Sequence, residues 1–181
     1  MTLGPVIRRA TSDDAAIIAQ HRVAMFSDMG EVPHQWASTL LELSTSALAA
    51  ELGKETYVGW LALEGNHRVI AGAGVHLKAQ LPRISDDGTR VVTALLPLVV
   101  NVYTEPAWRH QGIARTLMAT LMQWATTQNF DRVLLHASDA GRPLYVSLGF
   151  VSTNEMRWSA KGQPTHPPVG TPPPIVESRF P

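Results

Sequence analysis

Apolar and polar positions alternate along the first half of the chain in a way that predicts one strand, two helices and a β-hairpin. Carboxylates at Asp13 and Asp14 stand where the first turn of a helix favours negative charge. The polar turn 64–67 separates two apolar runs, which is typical of an antiparallel hairpin. Segment 80–90 is polar and is expected to be a loop. In chain order the predicted elements are a strand at Val6–Arg9, a helix that is capped by Ser12–Asp14 and ends near Met29–Gly30, a helix from about His34 to Leu52, and strands at Tyr57–Leu63 and Val69–Leu77.

The second half of the chain has the pattern of a strand, a helix and a second strand. An apolar run at Leu95–Thr104 precedes the glycine-bearing segment Arg109–Ala114, which opens an amphipathic helix that ends at Gln128–Asn129. Val133–His136 then predicts a short buried strand. A helical connection of this kind indicates parallel pairing through a right-handed crossover. The apolar face of the helix comprises Ile113, Ala114, Leu117, Met118, Leu121, Trp124 and Ala125.

The segment Arg109–Ala114 predicts an anion-binding site. The first N–H groups of a helix have no intrahelical partner and lie at the positive end of the helix dipole. Gly112 permits a sharp turn and a close approach of a ligand to the backbone. The segment lacks the glycine-rich patterns of nucleoside triphosphatases and of dinucleotide-binding folds. The alternative is an ordinary strand-to-helix turn that binds nothing.

Two motifs resemble those of the GNAT superfamily of acyl-CoA-dependent N-acyltransferases. Arg109, Gly112 and Ala114 match the family signature Gln/Arg-x-x-Gly-x-Gly/Ala, which holds the coenzyme A pyrophosphate between the fourth strand and the third helix. Leu144–Phe150 is similar to the family motif Leu-Tyr-x-x-Leu-Gly-Phe, whose tyrosine lies near the thioester sulfur. The order of the two motifs in this chain is also that of the family.

The resemblance implies a fold and a division of the chain. The fold is α/β, with a mixed sheet that has antiparallel N-terminal strands and a βαβ C-terminal half that binds acyl-CoA. The resemblance covers roughly Val6 to Trp158, so residues 1–160 are expected to form the N-acetyltransferase domain. The fourth and fifth strands of the family splay apart, and the gap between them admits the cofactor.

The second motif also agrees with helix physics. Leu144 and Leu148 share one helical face, and Gly149 suits a C-terminal cap. Pro143 must lie near the first turn, because deeper in a helix it would cost roughly 3 kcal/mol. The helix is therefore expected to start close to Ala140 or Gly141, and Phe150 is expected to begin a new apolar segment, which in the family is a strand.

The site residues follow from the resemblance. Tyr145 is the expected catalytic residue, a hydrogen-bond donor to the leaving thiolate that finishes as a general acid. Three positions depart from the common family pattern: His110 and Gly141 replace a frequent Gly and Ala, and Ser138 replaces an Asn while keeping the ability to cap a helix and bind a ligand amide. The expected cofactor-binding residues are Val102, Tyr103, Thr104, Arg109, His110, Gln111, Gly112, Ile113, Ala114 and Ser138.

The implied reaction is direct transfer of the acetyl group of acetyl-CoA to a primary amine of a small molecule or peptide. Some family members use a glutamate early in the fourth strand as the base, but segment 94–97 carries no carboxylate. The candidate bases are Glu31, His34, His76, Glu105 and His136, or a chain of water molecules. For Glu105, the expected alternative to a catalytic base is a surface position or a helix-capping role. Glu31 is preferred for contact with the substrate amine, and Trp36 is a candidate wall of the acceptor pocket.

Composition narrows the function classes. The 181-residue chain has 15 Lys and Arg against 15 Asp and Glu, so a dominant nucleic-acid or anionic-membrane surface is not expected. The absence of cysteine excludes disulfides, cysteine nucleophiles and thiolate metal sites. The seven histidines form no metal-ligand pattern, and no bound metal is expected. The N-terminus lacks the pattern of a signal peptide and no apolar run is long enough for a membrane helix, so a cytoplasmic location is expected.

The last 21 residues have a different composition. Segment 161–181 contains seven of the thirteen prolines, including Pro172–Pro174, and favours polyproline II over a packed core. One hypothesis is that Val176–Phe180 pack against the domain or against a second copy in a homodimer.

Two alternative functions are also compatible with the sequence: a non-catalytic acyl-CoA-binding sensor, and a transferase for a bulkier acyl group.

Overall fold

The structure, a computed structural model, describes residues 4–65, 68–93 and 95–156. The chain divides into two compact units, one that ends at Phe150 and one that begins at Val151. Within the second unit, the described residues Val151–Met156 are exposed and contain no helix or strand. The expected strand after Phe150 is therefore absent from this described stretch. The proline-rich tail 161–181, its Val176–Phe180 segment and Trp158 lie outside the described residues.

The first unit contains helices and strands close to the predicted bounds. Thr11 caps the first helical segment in place of Ser12–Asp14, which themselves form a 3-10 turn: the Asp14 carboxylate accepts the Thr11 N–H at 2.8 Å. Further 3-10 turns lie at His34–Trp36 and Pro106–Trp108. The α-helices are α1 (Ala15–Asp28), α2 (Ala37–Gly53), α3 (Ile113–Thr127) and α4 (Arg142–Ser147). The strands are β1 (Val6–Arg9), β2 (Tyr57–Glu64), β3 (Arg68–Lys78), β4 (Arg83–Ile84), β5 (Val91–Val92), β6 (Leu96–Thr104) and β7 (Leu134–Leu135).

The main sheet has the order β1-β2-β3-β6-β7. All neighbouring strands in it are antiparallel except β6 and β7, which are parallel. The mixed α/β sheet and its βαβ C-terminal half are thus confirmed. β7 is shorter than predicted and only half-buried, because it lies at the edge of the sheet.

The prediction of a loop at 80–90 is wrong in part, because β4 lies in this segment and pairs with β5 in a separate two-stranded ladder. The turn between these strands is held by the Ser85 side chain, which donates to Asp87 at 2.6 Å. Arg83 forms an ion pair of 2.6 Å with Asp131, just before β7. Such contacts, rather than a repeating apolar pattern, hold these two-residue strands, so periodicity alone does not reveal them.

Helices cover both faces of the main sheet. Successive strand side chains point to opposite faces, so Val58, Trp60 and Ala62 of β2 pack toward α3 while Leu61 and Leu63 pack toward α1 and α2. The predicted apolar face of α3 is confirmed, since its central residues Leu117, Met118 and Leu121 are fully buried. The face of the sheet under α1 and α2 carries most of the polar groups discussed below. In the described residues no helix is both long and apolar enough to cross a membrane.

Candidate active site

The segment that leads into α3 has an unusual backbone. Arg109 is extended, His110 has φ 62° and Gly112, which caps α3, has φ 79°. A left-handed conformation costs an L-residue such as histidine roughly 1–2 kcal/mol, whereas glycine adopts it freely. The left-handed backbone at His110 explains why glycine is frequent at this position in the family that the chain resembles. Left-handed residues in a turn arrange successive N–H groups into an anion-binding concavity.

The N–H groups of this turn are available to a ligand. Within the described part of the chain, no backbone N–H of residues 110–115 donates a hydrogen bond, and the Thr116 N–H is the first to do so, to the Gly112 carbonyl at 3.1 Å. Residues 109–112 are exposed. The predicted cofactor-binding residues His110, Gln111, Gly112, Ile113 and Ala114 therefore form one open cluster of donors at the positive end of α3.

The Arg109 side chain points away from this cluster and holds the turn in place. Its Nε donates to the Thr104 carbonyl at 3.0 Å, and its terminal nitrogen pairs with the Asp28 carboxylate at the end of α1. Its guanidinium also lies 5.6 Å from the Tyr103 ring centre. The hydrogen bond to Asp28 raises the pKa of Arg109. Arg109 thus joins α1, β6 and the turn.

A gap opens between β6 and β7 beside this turn. The two strands pair only at Leu98–Leu134 and Val99–Leu135, so the rest of β6 has no partner on that edge among the described residues. The Glu105 N–H donates to Ile70 of β3 at 2.9 Å, and alternation along the strand turns the backbone groups of Val102 and Thr104 the other way. We call this opening the strand gap, and the end of the pairing at Val99 its apex.

A bulge in β6 faces the helices α1 and α2 and was not predicted from the sequence. Asn101 and Val102 together lie opposite Ala73, and Asn101 has φ 56°. The buried Asn101 side chain accepts from Arg22 of α1 at 2.7 Å and donates to the Tyr57 hydroxyl at 3.2 Å. The only signal in the sequence is a lone Asn inside an apolar run, a residue type that tolerates the left-handed conformation.

Tyr145 lies on α4, which is attached to the start of α3. The Arg115 side chain donates to Ser147 Oγ at 2.7 Å, and the Tyr145 ring packs 6.0 Å from the Phe150 ring. Burial raises the pKa of the Tyr145 hydroxyl, so the group is a proton donor at neutral pH. The structure explains Gly141, because an added Cβ there would lie 2.9 Å from the Tyr145 ring.

The expected capping ability of Ser138 and the predicted start of the α4 helix agree with the structure. The Ser138 Oγ accepts the Gly141 N–H at 3.2 Å, and the Ser138 carbonyl accepts the Arg142 N–H at 2.9 Å. Gly141 is the N-terminal cap of α4, and Pro143 lies in its first turn. Gly149 has φ 90°, as expected for a glycine that ends a helix. Ser138 thus organises the start of the helix that carries Tyr145.

The predicted acceptor residues lie in the connection between α1 and α2. Glu31 and His34 are exposed, and Trp36 is 56% exposed. The Glu31 backbone N–H donates to Phe26 at 2.9 Å, while its carboxylate has no hydrogen bond or ion pair among the described residues. Because the Arg109–Asp28 pair holds the end of α1 against the turn, the Glu31 loop starts beside the donor cluster.

The other candidate bases are in different environments. Glu105 pairs with Arg68 at 2.6 Å and makes no capping bond with its side chain, so the expected capping duty is replaced by an ion pair. His136 is exposed and follows β7. His76 of β3 is half-buried, and its Nε2 lies 3.3 Å from Glu51 Oε1 of α2.

A buried histidine lies under α1 and was missed by the sequence argument. His21 packs 5.1 Å from the Tyr103 ring, and neither of its ring nitrogens has a hydrogen-bond partner among the described residues. Burial lowers the pKa of His21, which therefore stays neutral near pH 7. It lines a small cavity of about 10 Å³, together with Tyr57, Gly72 and Asn101. Burial raises the pKa of Tyr57 to about 12.

These features place the chain in a protein family. The family model for the Acetyltransferase (GNAT) family matches residues 22–150. The chain belongs to this family of acetyltransferases, as the turn before α3, the strand gap and the α4 motif indicate. No curated protein matches the chain.

Solved structures agree with this assignment. A GCN5-related N-acetyltransferase from Ralstonia eutropha is 26% identical, with a TM-score of 0.77 over 88% of this chain and 100% of that one. A predicted acetyltransferase from Clostridium acetobutylicum, solved with acetyl-CoA, is 28% identical, with a TM-score of 0.72 over 86% of this chain and 95% of that one. An aminoglycoside acetyltransferase from an uncultured soil sample shares the fold at 12% identity and a TM-score of 0.62, over 89% of this chain and 100% of that one.

Proposed function

We propose that this protein transfers the acetyl group of acetyl-CoA directly to a primary amine of a small molecule or peptide. The observation that carries the proposal is the open cluster of backbone donors at residues 110–114 beside the strand gap. A pyrophosphate there would collect several charge-assisted hydrogen bonds, each on the order of 1.5–3 kcal/mol. The family neighbour solved with acetyl-CoA supports this choice of ligand.

The strand gap is the proposed path of the cofactor arm. With the pyrophosphate on the turn, an extended arm runs along β6 past Thr104, Tyr103 and Val102 toward the apex. The Val102 backbone groups and the Thr104 N–H that face the gap would bind the amides of the arm, as an added strand does, while the Thr104 carbonyl accepts from Arg109. Ser138, in the segment between β7 and α4, is proposed to hydrogen-bond an amide of the arm as well. The thioester then reaches the end of the gap near Asn101.

Tyr145 is the proposed proton donor to the leaving thiolate. The amine nitrogen attacks the thioester carbonyl, the C–N bond forms, and the C–S bond breaks with its electron pair on sulfur. A thiol has a pKa of about 8.5 against about 10 for tyrosine, so a hydrogen bond from Tyr145 suffices early and full proton transfer follows late. The raised pKa of Tyr145 keeps this proton in place until it is needed.

The amine must be neutral when it attacks. An alkyl amine with a pKa of about 10.4 is protonated at pH 7, and its deprotonation costs about 4–5 kcal/mol at 1.36 kcal/mol per pH unit. We propose that Glu31, whose carboxylate lies in the loop beside the turn, contacts the substrate amine, and that Trp36 provides an apolar wall. An exposed tryptophan and an unpaired carboxylate in the same connection offer suitable groups for an aliphatic ammonium ion.

The test is a thiol-release assay with acetyl-CoA and a panel of amines: amino acids, polyamines, aminoglycosides and peptides. The expected result is release that depends on one class of amine, with an acetylated product in the mass spectrum. Binding of acetyl-CoA without turnover on any amine would support a sensor instead. Faster turnover with a longer acyl-CoA would show that the donor is not acetyl-CoA.

A further inference from the structure

We infer that His76, held by Glu51, accepts the proton from the acceptor amine; the inference rests on the proposed function and specifies its base. His76 lies in the middle of the sheet, where its backbone is level with Tyr57 of β2 and Leu98 of β6. Its side chain is 35% exposed and reaches Glu51 of α2, so it faces the helices α1 and α2. A half-exposed histidine on this face is open to a substrate.

The register places His76 close to the expected thioester. Leu98, its neighbour on β6, is the first of the two positions at which β6 pairs with β7, directly before the apex at Val99. Along a strand, two residues span about 7 Å, so His76 is level with a point about that distance from Val100 and about 10 Å from Asn101 of the bulge. A histidine side chain, extended by one water, covers the separation to Val100 and the apex.

Beside His76, the α1–α2 face of β3 is covered by Tyr57 of β2. Gly74, two residues earlier on the same face of β3, has no side chain, and the Tyr57 hydroxyl occupies the place where its Cβ would be. Asn101 and Arg22 then hold that hydroxyl in a buried network. The His76–Glu51 pair is separate from these hydrogen bonds, is partly exposed, and has Tyr57 opposite His76 in the β2–β3 register. Polar groups therefore lie on this face of the sheet both at the bulge and at the His76–Glu51 pair.

Glu51 is a positioning residue in this arrangement. A carboxylate 3.3 Å from Nε2 fixes one ring nitrogen of His76 as the proton-bearing one and leaves Nδ1 as the acceptor. Tyr57 of β2 lies opposite His76 and Lys78 follows on its own strand, while β6 presents the apolar Leu98. Arg22 of α1 interacts with Glu51 and with Tyr57. Histidine is the side chain most often used for such a transfer at neutral pH.

The proton balance of the reaction is complete with these groups. The ammonium form of the acceptor first loses one proton to solvent; the neutral amine nitrogen then forms the C–N bond and loses a second proton to His76 Nδ1. The sulfur leaves with the C–S electron pair and takes a proton from the Tyr145 hydroxyl. His76 then releases its proton to solvent and Tyr145 regains one, so neither residue is changed after the cycle.

The experiment compares His76→Gln and Glu51→Gln with the wild-type enzyme on its best amine. Gln at position 76 keeps a donor toward Glu51 but cannot accept a proton, so kcat/KM at pH 7 is expected to fall by about 100-fold or more. The acid limb of the pH profile should disappear, and the Kd of acetyl-CoA should stay within about twofold. Glu51→Gln should lower kcat by about tenfold, leave KM unchanged and keep the acid limb. Glu42→Gln, an exposed carboxylate on the same helix, is the matched control.

A second variant guards against a folding defect. His76→Ala should regain activity when imidazole is added, and Glu42→Gln should not respond to imidazole. Wild-type activity together with an unchanged kcat/KM and pH profile in His76→Gln would overturn the inference and leave the proposed function intact. If the wild-type enzyme releases no thiol with any amine, the proposed function itself has failed.

Discussion

At the scale of single residues, the positions that matter most are those where backbone conformation and chemistry coincide. His110, Gly112 and Asn101 all have positive φ, and they lie in the turn and the bulge that border the strand gap. Gly112 and the two motifs could be predicted from the sequence, because a glycine before an amphipathic helix is a local signal. Asn101 and the His76–Glu51 pair could not, since they depend on cross-strand register and on a helix 25 residues away in the chain.

The glycine of the turn gives the first prediction. Gly112→Ala places a side chain at φ 79°, where an L-residue costs roughly 1–2 kcal/mol, and it should weaken acetyl-CoA binding at least tenfold in a calorimetric titration. Gly88→Ala is the matched control, because Gly88 has φ 72° in the β4–β5 turn away from the site. The control should lose stability without losing affinity. Equal affinities for the two variants would exclude the turn as the pyrophosphate site.

The tyrosine of α4 gives the second prediction. Tyr145→Phe removes the proposed donor but keeps the ring that packs against Phe150. It should lower kcat by about tenfold to hundredfold, a modest effect for an acid because the thiolate is a good leaving group. The Kd of acetyl-CoA and the melting temperature should change little. A kcat equal to that of the wild type would remove Tyr145 from the mechanism.

At the scale of elements, long apolar patterns predict the strands and helices that carry them, whereas an element held by tertiary contacts is missed. The hairpin β2–β3 and helix α3 were predicted well, because their apolar periodicity is long and their turns are marked by polar residues or glycine. The ladder β4–β5 was missed, because two-residue strands have no periodicity and this ladder is held by Arg83–Asp131 and by the Ser85 turn. The predicted start of α4 was right, because Pro143 and Gly141 restrict where a helix can begin.

The start of the first helical segment supports a prediction on pH. Hydrogen bonds from Arg8 and from the Thr11 N–H lower the pKa of Asp14. A carboxylate with a lowered folded-state pKa stabilises the protein above its ordinary pKa of about 4, and the stabilisation is lost as the pH falls through the folded-state pKa. Asp14→Asn should therefore destabilise the protein by about 1 kcal/mol at pH 7 in urea unfolding.

The same variant should differ less from the wild type as the pH falls below 4, because the wild-type carboxyl is then protonated as well. Asp13→Asn, an exposed neighbour in the same turn, is the control and should have little effect at any pH. A pH-independent difference between wild type and Asp14→Asn would mean that the charge of Asp14 is not what stabilises this turn.

At the scale of the whole molecule, the two helical layers on the sheet contribute different groups. The α3 side supplies the donor cluster and the larger core, and the α1–α2 side supplies the polar groups that would meet the acceptor. The Arg109–Asp28 pair joins the two sides at the mouth of the strand gap. This division explains why the sequence indicates the site of the acyl donor more clearly than that of the acceptor: the acetyl-CoA motif is contiguous, whereas the proposed acceptor groups come from the α1–α2 connection, α2 and β3.

Ligand binding should therefore stabilise the whole first unit. At a concentration of acetyl-CoA about 100 times its Kd, linkage predicts about 2.7 kcal/mol of added stability. For a chain of this size that corresponds to a rise in Tm of roughly 5–10 °C, measurable by calorimetry. The phosphate-free arm of the cofactor, offered at the same concentration, should give a much smaller rise. Equal shifts for both ligands would mean that the phosphates add nothing to binding.

The central claim is that the turn before α3 binds the pyrophosphate and the strand gap directs the thioester to the apex. A crystal structure with acetyl-CoA tests it most directly. The expected result is pyrophosphate oxygens at about 2.7–3.2 Å from backbone nitrogens of residues 110–114, with the sulfur beside Tyr145 and the acetyl group near Asn101. A cofactor bound elsewhere, or bound with its thioester pointing away from the apex, would contradict the account.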